Sequence, residues 1–403
     1  MNINKSLILM IMIIYVFCLS GCWGYTEVNE YGIVMLTAVD IDDEGLFKIS
    51  VLVSVPSTIM QQQGTVSTMW IGAGRGPSIA DAAQNLIKIA PKKLTWIQNN
   101  AIIFGEKAAR NSLGDIMDFF VRSREIRLDN YVMVSEGLAG DLFQVPADAE
   151  KNLYTEMEGI IRNAERWSRT YISDLKDFMM QYANVTSDAV AARIGSYKSE
   201  RNTFSTTRES MGGEKKGKNK EILYIVGSAV FKDGKLVGWL DGVETRGFQW
   251  FIDKIDMGTI EHADIKKNEK AILEIRTAKT DVKPTVKEGR LVYEVKVHAT
   301  GNLIEVIGKV NIMDKAKLKE IEEKFAKVVE EEMRLAVQKA QKKYKADIFL
   351  FGDKLYRSLP SVWREVEDRW GEVFPEVEVA FDIKVEVKTP GEILNNYKLN
   401  REM

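Results

Sequence analysis

The chain has 403 residues, 45% of them hydrophobic, and a formal net charge of −2 at pH 7. That length holds two or three domains with cores of their own, and the balanced charge offers no basic excess for nucleic acid. Two cysteines and two histidines are too few for a multi-histidine or multi-thiolate metal cage.

Lys5 precedes an unbroken apolar run from Leu7 through Leu19, and Ser20-Gly21-Cys22 closes it. A positive residue, a short apolar core and small residues at the end make a secretory signal peptide, residues 1–21. At about 1.5 Å per residue the run reaches roughly 20 Å as a helix, short of the roughly 30 Å hydrocarbon slab. Leu19-Ser20-Gly21-Cys22 resembles the lipobox of bacterial lipoproteins. That resemblance implies cleavage between Gly21 and Cys22, diacylglycerol on the Cys22 sulfur and an N-acyl group. The other readings are an ordinary signal peptide with an incidental cysteine, or an uncleaved anchor. With Cys18 lost and Cys22 acylated, the mature body has no thiol, hence no disulfide and no cysteine nucleophile.

After a polar tether from Trp23 to Glu30, period-two runs over residues 33–40 and 47–55 flank Asp42-Asp43-Glu44-Gly45 and predict a hairpin. Gln61-Gln62-Gln63-Gly64 reads as a loop, and residues 66–71 as a strand. Gly72-Ala73-Gly74-Arg75-Gly76 invites a phosphate-loop reading, but Pro77-Ser78 stands where Gly-Lys-Ser/Thr would be needed. The preferred expectation is a glycine turn feeding a helix capped by Ser78, with Ala82, Leu86 and Ile89 on its inner face. Residues 94–104 predict a strand, 106–123 a helix, 131–134 a strand, 154–166 and 173–182 helices, and 191–197 a strand. This alternation points to a mixed sheet with helices on one or both faces.

Residues 203–221, rich in Ser, Thr, Gly, Lys and Asn, read as a linker. They separate an N-terminal α/β domain, 22–202, from a C-terminal α+β domain, 222–393, with a further division near 258–270 left open. Residues 222–231 and 236–240 flank Asp233-Gly234, the strongest short-range hairpin signal. Residues 272–275 and 291–297 predict strands. His298 lies on the polar face of the second, and both it and His262 read as solvated. Asp314 caps a long helix with Leu318, Ile321, Phe325, Val328 and Leu335 inward, and Glu330-Glu331-Glu332 on its charged outer face. A second helix, 348–359, stops at Pro360. Ser361 caps a third, with Trp363, Val366 and Trp370 on one stripe. Val377, Val379, Phe381, Ile383, Val385 and Val387 alternate with polar residues in a strand packed on one side by those helices. Residues 394–403 form a polar tail.

The expected fold class is α+β: a multi-domain, mixed α/β lipoprotein whose C-terminal domain packs helices on an antiparallel or mixed sheet. An enzyme site needs a nucleophile with its base, a carboxylate pair or a metal cage. None is visible, so neither catalysis nor a cofactor is expected, and the act is protein–protein contact or small-molecule capture.

Three stretches resemble the GerC family, the lipoprotein subunits of bacterial spore germinant receptors. The first is Gly21-Cys22-Trp23 with Glu27-Val28-Asn29, where Gly24 replaces a usual aspartate. The second is Gly227 through Phe231, Lys235 through Leu240 and Glu244-Thr245-Arg246-Gly247. The third is Asp347-Ile348-Phe349 with Gly352, then Trp363, Trp370, Phe374-Pro375 and the final strand. The resemblance implies a multi-domain α+β fold, a role in germination and no catalysis by this subunit. It places the protein on the outer face of the inner spore membrane, with two integral membrane partners, one permease-like and one larger. Trp239, Glu244, Arg246 and Trp250 are candidates for partner contact, with Glu244 and Arg246 paired, or else they build the second domain. A solute-binding lipoprotein of a transporter is the alternative, and it would need a cleft between two similar lobes.

Overall fold

The computed structural model describes residues 7, 10, 27–55, 68–199, 220–266, 269–308, 312 and 314–389. Gly21, Cys22, the tail 394–403 and most of the predicted linker lie outside the described residues.

Strands β1 (Tyr31–Ile41) and β2 (Phe47–Val55) form the expected hairpin. Asp42 closes its turn, Oδ1 accepting from the Glu44 and Leu46 amides at 2.9 and 3.0 Å. The glycine-rich segment is not a turn. Gly72–Gly76 lies inside strand β3 (Thr68–Gly76), antiparallel to β2. A side chain at Gly74 would overlap the backbone of helix α1 (Ile79–Ile89), so glycine there lets that helix lie directly on the strand. Ser78 caps α1 as expected, its Oγ accepting from the Asp81 amide at 3.1 Å.

The single strand expected at 94–104 is two, β4 (Lys93–Thr95) and β5 (Ala101–Gly105), both parallel to β1. Buried Asn99 holds the turn between them, accepting from Thr37 Oγ1 at 2.8 Å and donating to the Ala101 carbonyl at 3.1 Å. The helix expected at 106–123 breaks at Ser112 into α2 (Glu106–Asn111) and α3 (Leu113–Arg122). Strand β6 (Tyr131–Ser135), helix α4 (Leu153–Arg166), a short β7 (Ser173–Asp174), helix α5 (Leu175–Tyr182) and β8 (Val190–Ser199) follow.

Strands β9 (Lys220–Lys232) and β10 (Lys235–Leu240) form the predicted hairpin, with Asp233 and Gly234 both at positive φ, 49° and 75°. They extend the first sheet, whose order is β10-β9-β8-β6-β5-β1-β2-β3, with β4 on β1 and β7 on β6. A boundary at 203–221 therefore falls inside one sheet. Its β8–β9 pair joins residues on both sides, and the backbone ladder overrides the change in composition. Apolar clusters lie on both faces of this sheet, one under α1, α2, α3 and α5, the other under α4.

The chain leaves the first sheet through helix α6 (Gly242–Phe251). The second sheet has order β11-β12-β13-β14, from β11 (Thr259–Lys266), β12 (Glu269–Lys287), β13 (Arg290–Ile307) and β14 (Glu378–Thr389). It is mixed, since β13 and β14 run parallel. Strands β12 and β13 far outrun the short apolar runs that predicted them. Their outer lengths are polar, and register with each other holds them. Helix α7 (Lys315–Gln338) starts at Asp314 as expected, passes into a π-helical turn over Lys339–Tyr344, and α8 (Phe351–Ser358) follows. Helix α9 (Pro360–Val366) has Leu359, not Ser361, at its N-cap, with proline at its first position. It ends before the four-residue α10 (Trp370–Val373). Trp363 and Trp370 still meet, edge to face, with centroids 5.4 Å apart. The inward face of β14 joins one core with α6, α7 and α8. His298 is half exposed, with Nε2 3.2 Å from a Glu386 oxygen.

Candidate functional site

Helix α6 links the two sheets and carries Glu244, Arg246 and Trp250, while Trp239 stands just before it on β10. Its start is a capping box. Asp241 Oδ1 accepts from the Val243 and Glu244 amides, and Glu244 returns to accept from the Asp241 amide at 2.8 Å. Two orphan donors of the first turn are thereby satisfied. Glu244 does not pair with Arg246. It meets Lys339 Nζ at 2.5 Å, tying the start of α6 to the end of α7.

Arg246 points the other way, into the protein, and its partner is Glu332. The two form a forked pair, Arg246 Nε to Glu332 Oε2 at 2.9 Å and Arg246 Nη2 to Glu332 Oε1. Side-chain exposure is 2% and 6%. Arg246 Nη1 also donates to the Thr259 carbonyl, and Trp250 Nε1 donates to Glu332 Oε2 at 3.3 Å. Glu332 is thus not on a charged outer face. It follows Phe325 and Val329 and precedes Ala336 at spacings of four, three and four, the inner stripe of α7. That spacing was the available signal, and the run of three acids masked it. Beside the pair, a side chain at Gly247 would overlap the Glu332 carbonyl, so α6 and α7 cross at backbone distance.

Arg246 and Trp250, with 2% and 0% exposure, have no surface to offer a partner. Trp239 is half-buried, and the Arg193 guanidinium stacks over its ring at 5.6 Å. Its backbone binds Tyr344, whose hydroxyl donates to the Trp239 carbonyl at 2.8 Å and accepts from the Trp239 amide at 2.9 Å. All four candidates build the joint between the sheets.

A second joint lies at Asp188 and Asp347. Asp188 N donates to the Asp347 carbonyl at 2.8 Å, and Asp347 N donates back to the Asp188 carboxylate, Oδ2, at 2.9 Å. Lys232 Nζ approaches Asp188 Oδ2 at 3.2 Å. Asp347 accepts from four donors: the amides of Phe349, Phe351 and Gly352, and Trp370 Nε1 at 3.1 Å. Burial nonetheless pushes its carboxyl up to about 7, and Asp188 adds to the rise. Burial also raises Asp188, against the lowering effect of Lys232. Next to this joint lies a cleft of about 460 Å³, lined by the 181–189 segment, the Phe231–Gly234 turn and Trp370. Sequence reasoning did not single out Asp188 or Tyr344, and it set Glu332 on the wrong face of its helix. Among the described residues no group of three or more His, Cys, Asp or Glu is placed to hold a metal ion.

Two family models match. "Spore germination protein N-terminal domain" covers residues 24–196, and "Spore germination B3/GerAC like, C-terminal" covers residues 226–391. The chain belongs to the GerC family. Of its curated relatives in Bacillus subtilis (strain 168), spore germination protein B3 is 25% identical over 389 residues, covering 94% of this chain and 96% of that protein. Spore germination protein KC is 26% identical over 407 residues, covering 95% of each. Spore germination protein A3 is 21% identical over 388 residues, covering 94% and 96%. The crystal structure of the GerBC protein matches with a TM-score of 0.55 at 21% identity, over 87% of this chain and 96% of that one. This likeness shows a shared α+β fold. In this GerC chain the interval between the two family segments contains the predicted linker. The Asp188–Asp347 joint brings them together, Asp188 belonging to the first segment and Asp347 to the second, whereas Arg246 and Glu332 both lie in the second.

Proposed function

We propose that this chain is the lipid-anchored, non-catalytic subunit of a spore germinant receptor and acts by assembly with integral membrane subunits. The observation that carries the reading is the end-to-end match: two spore-germination family segments, and relatives of that name aligned over nearly their full length. The anchor rests on Leu19-Ser20-Gly21-Cys22. Among the described residues no helix is long and apolar enough to cross a membrane, and the reading assigns attachment to the acyl chains on Cys22. Two chains hold a protein stably where one holds it marginally. The body then lies outside the inner spore membrane, and confinement to that thin layer raises its effective concentration toward its partners. Its part is to present a fixed surface, because the two sheets are joined by buried polar pairs and not by a free hinge. The transporter reading fares worse, since a ten-stranded and a four-stranded sheet are not similar lobes.

The test is germination of spores that carry the Cys22→Ala chain in place of the normal one, with fractionation of the protein. The reading expects release from the membrane and a weakened nutrient response. Normal germination in spores lacking the whole chain, with no second copy of the gene, would refute the role itself.

A further inference from the structure

We infer that the surface around residues 87–97 docks on the membrane, against anionic lipid headgroups, and so sets the orientation of the whole body. The inference rests on the Cys22 anchor proposed above and adds a face to it.

The argument begins with reach. Glu27 is five residues from Cys22. At most about 3.6 Å per residue, that tether spans no more than about 18 Å. Whatever surrounds Glu27 and the start of β1 must therefore lie close to the bilayer. Strand β4 surrounds them: Tyr31 pairs with Lys93, Gly32 with Leu94 and Ile33 with Thr95, in parallel. The Lys93 amino group sits over the Tyr31 ring, 5.2 Å from its centroid. Helix α1 ends beside this strand and delivers the chain to it.

The segment Ile87-Lys88-Ile89-Ala90-Pro91-Lys92-Lys93-Leu94-Thr95-Trp96-Ile97 has three lysines and no carboxylate. Three of its isoleucines are held out to solvent, Ile87 at 51%, Ile89 at 61% and Ile97 at 54% exposure. Single exposed apolar residues are ordinary on protein surfaces. Three within eleven residues, set among cations at the point where the tether enters, form the composition of an interfacial segment: apolar groups for the acyl boundary and lysines for phosphate. Glu125 touches this segment, accepting from the Trp96 amide at 3.0 Å. Glu27 and Glu30 sit on the tether side, so the attraction to headgroups is partly offset there.

The opposite end of the sheet differs in sign. Strand β1 has eleven residues, about 35 Å of extended chain. At its far end the turn carries Asp42, Asp43 and Glu44, with Arg75 as counter-ion to Asp42 and Glu44 and Lys107 3.9 Å from Asp43, which leaves that end with an excess of one negative charge. An acidic end far from the tether and a lysine–isoleucine end beside it give the body one favoured orientation over an anionic bilayer.

The acylated mature chain has no other thiol, so a single introduced cysteine can be labelled. Ile89→Cys, Ile97→Cys and Glu44→Cys, each bearing an environment-sensitive fluorophore, would be studied as acylated protein in vesicles rich in phosphatidylglycerol. The expected result is a blue shift at positions 89 and 97, quenching there by brominated lipid, and protection from aqueous iodide. Position 44 stays open to iodide. Equal iodide access at all three sites on membrane-bound protein would overturn the docking face while leaving the anchor intact. Protection at 89 and 97 that appears only with integral membrane subunits present would overturn it in favour of a protein partner. Mass spectrometry of Cys22 separates the two ideas, because an unacylated sulfur removes the anchor and this face with it.

Discussion

Glu332→Ala is the perturbation that asks most of the joint. It leaves Arg246 with its charge intact, 2% exposed, and only the Thr259 carbonyl as a named partner. It also strips Trp250 Nε1 of its acceptor. Removing one member of a buried pair typically costs about 3–5 kcal/mol, because the remaining charge is uncompensated. An orphaned indole donor adds about 1–3 kcal/mol, with incomplete additivity. Against a total stability of about 5–15 kcal/mol, this variant should stand near unfolding. The assay is urea denaturation, read by the midpoint at constant slope. Glu331→Ala, one residue earlier and exposed, should change stability by no more than about 0.5 kcal/mol. The double variant Arg246→Met with Glu332→Leu should recover most of the loss, since an apolar replacement of a buried pair is often neutral or better. If Glu332→Ala cost less than about 1 kcal/mol, or if the double variant were no more stable than the single, the joint would not be held by this pair.

Other outcomes follow from neighbouring residues. Tyr344→Phe removes a hydroxyl bonded to both the amide and the carbonyl of Trp239 and should lower stability by about 1–3 kcal/mol, measured by the same denaturation. Gly247→Ala inserts a methyl group against the α7 backbone and should cost at least about 1–3 kcal/mol, with calorimetry showing a lower Tm. Burial raises the Asp347 carboxyl from 3.8 to about 7, so between those values the folded chain holds a proton that the unfolded chain has released. Its contribution is therefore fullest below pH 4 and is lost as pH rises toward 7, by up to about 1.4 kcal/mol per pH unit. Asp347→Asn should be less stable than the parent at low pH and should flatten this slope; a parent curve that rises from pH 5 to 7 and is unchanged by the substitution would refute the assignment. Cys22→Ala should move the protein from the membrane pellet to the soluble fraction, as immunoblotting of fractions would show.

Local signals in the sequence were legible where one element decides its own conformation. The Asp42 turn, the Ser78 and Asp314 caps, the Asp233-Gly234 hairpin and the alternation of β14 all depend on residues a few positions apart. The reading failed where a distant segment decides. Gly72–Gly76 looks like a turn until α1 is laid on it, because the same lack of side chain serves a bend and a close approach equally well. Glu332 looks solvated because its neighbours Glu330 and Glu331 are charged, and only the phase of the helix reveals that it faces in. The boundary drawn at a change in composition falls between the two family segments, but the pairing of β9 with β8 across it is not written locally, since nothing nearby in the sequence encodes which strand will be its neighbour. As for the candidate site, Trp239, Glu244, Arg246 and Trp250 lie within a dozen positions of one another, so the sequence sets them side by side. Their partners Tyr344, Lys339 and Glu332 lie some 80 to 105 positions further on, beyond any local pattern.

The return of β9 and β10 to the first sheet has a practical outcome for anyone handling this molecule. A protease cut anywhere between residues 199 and 220 would leave two fragments still laced together by the β8–β9 ladder. They would migrate as one body in native chromatography and part only in denaturant. For the same reason the two family segments, expressed separately, would each emerge with a raw sheet edge, and co-expression in one cell is the way to obtain either of them in soluble form.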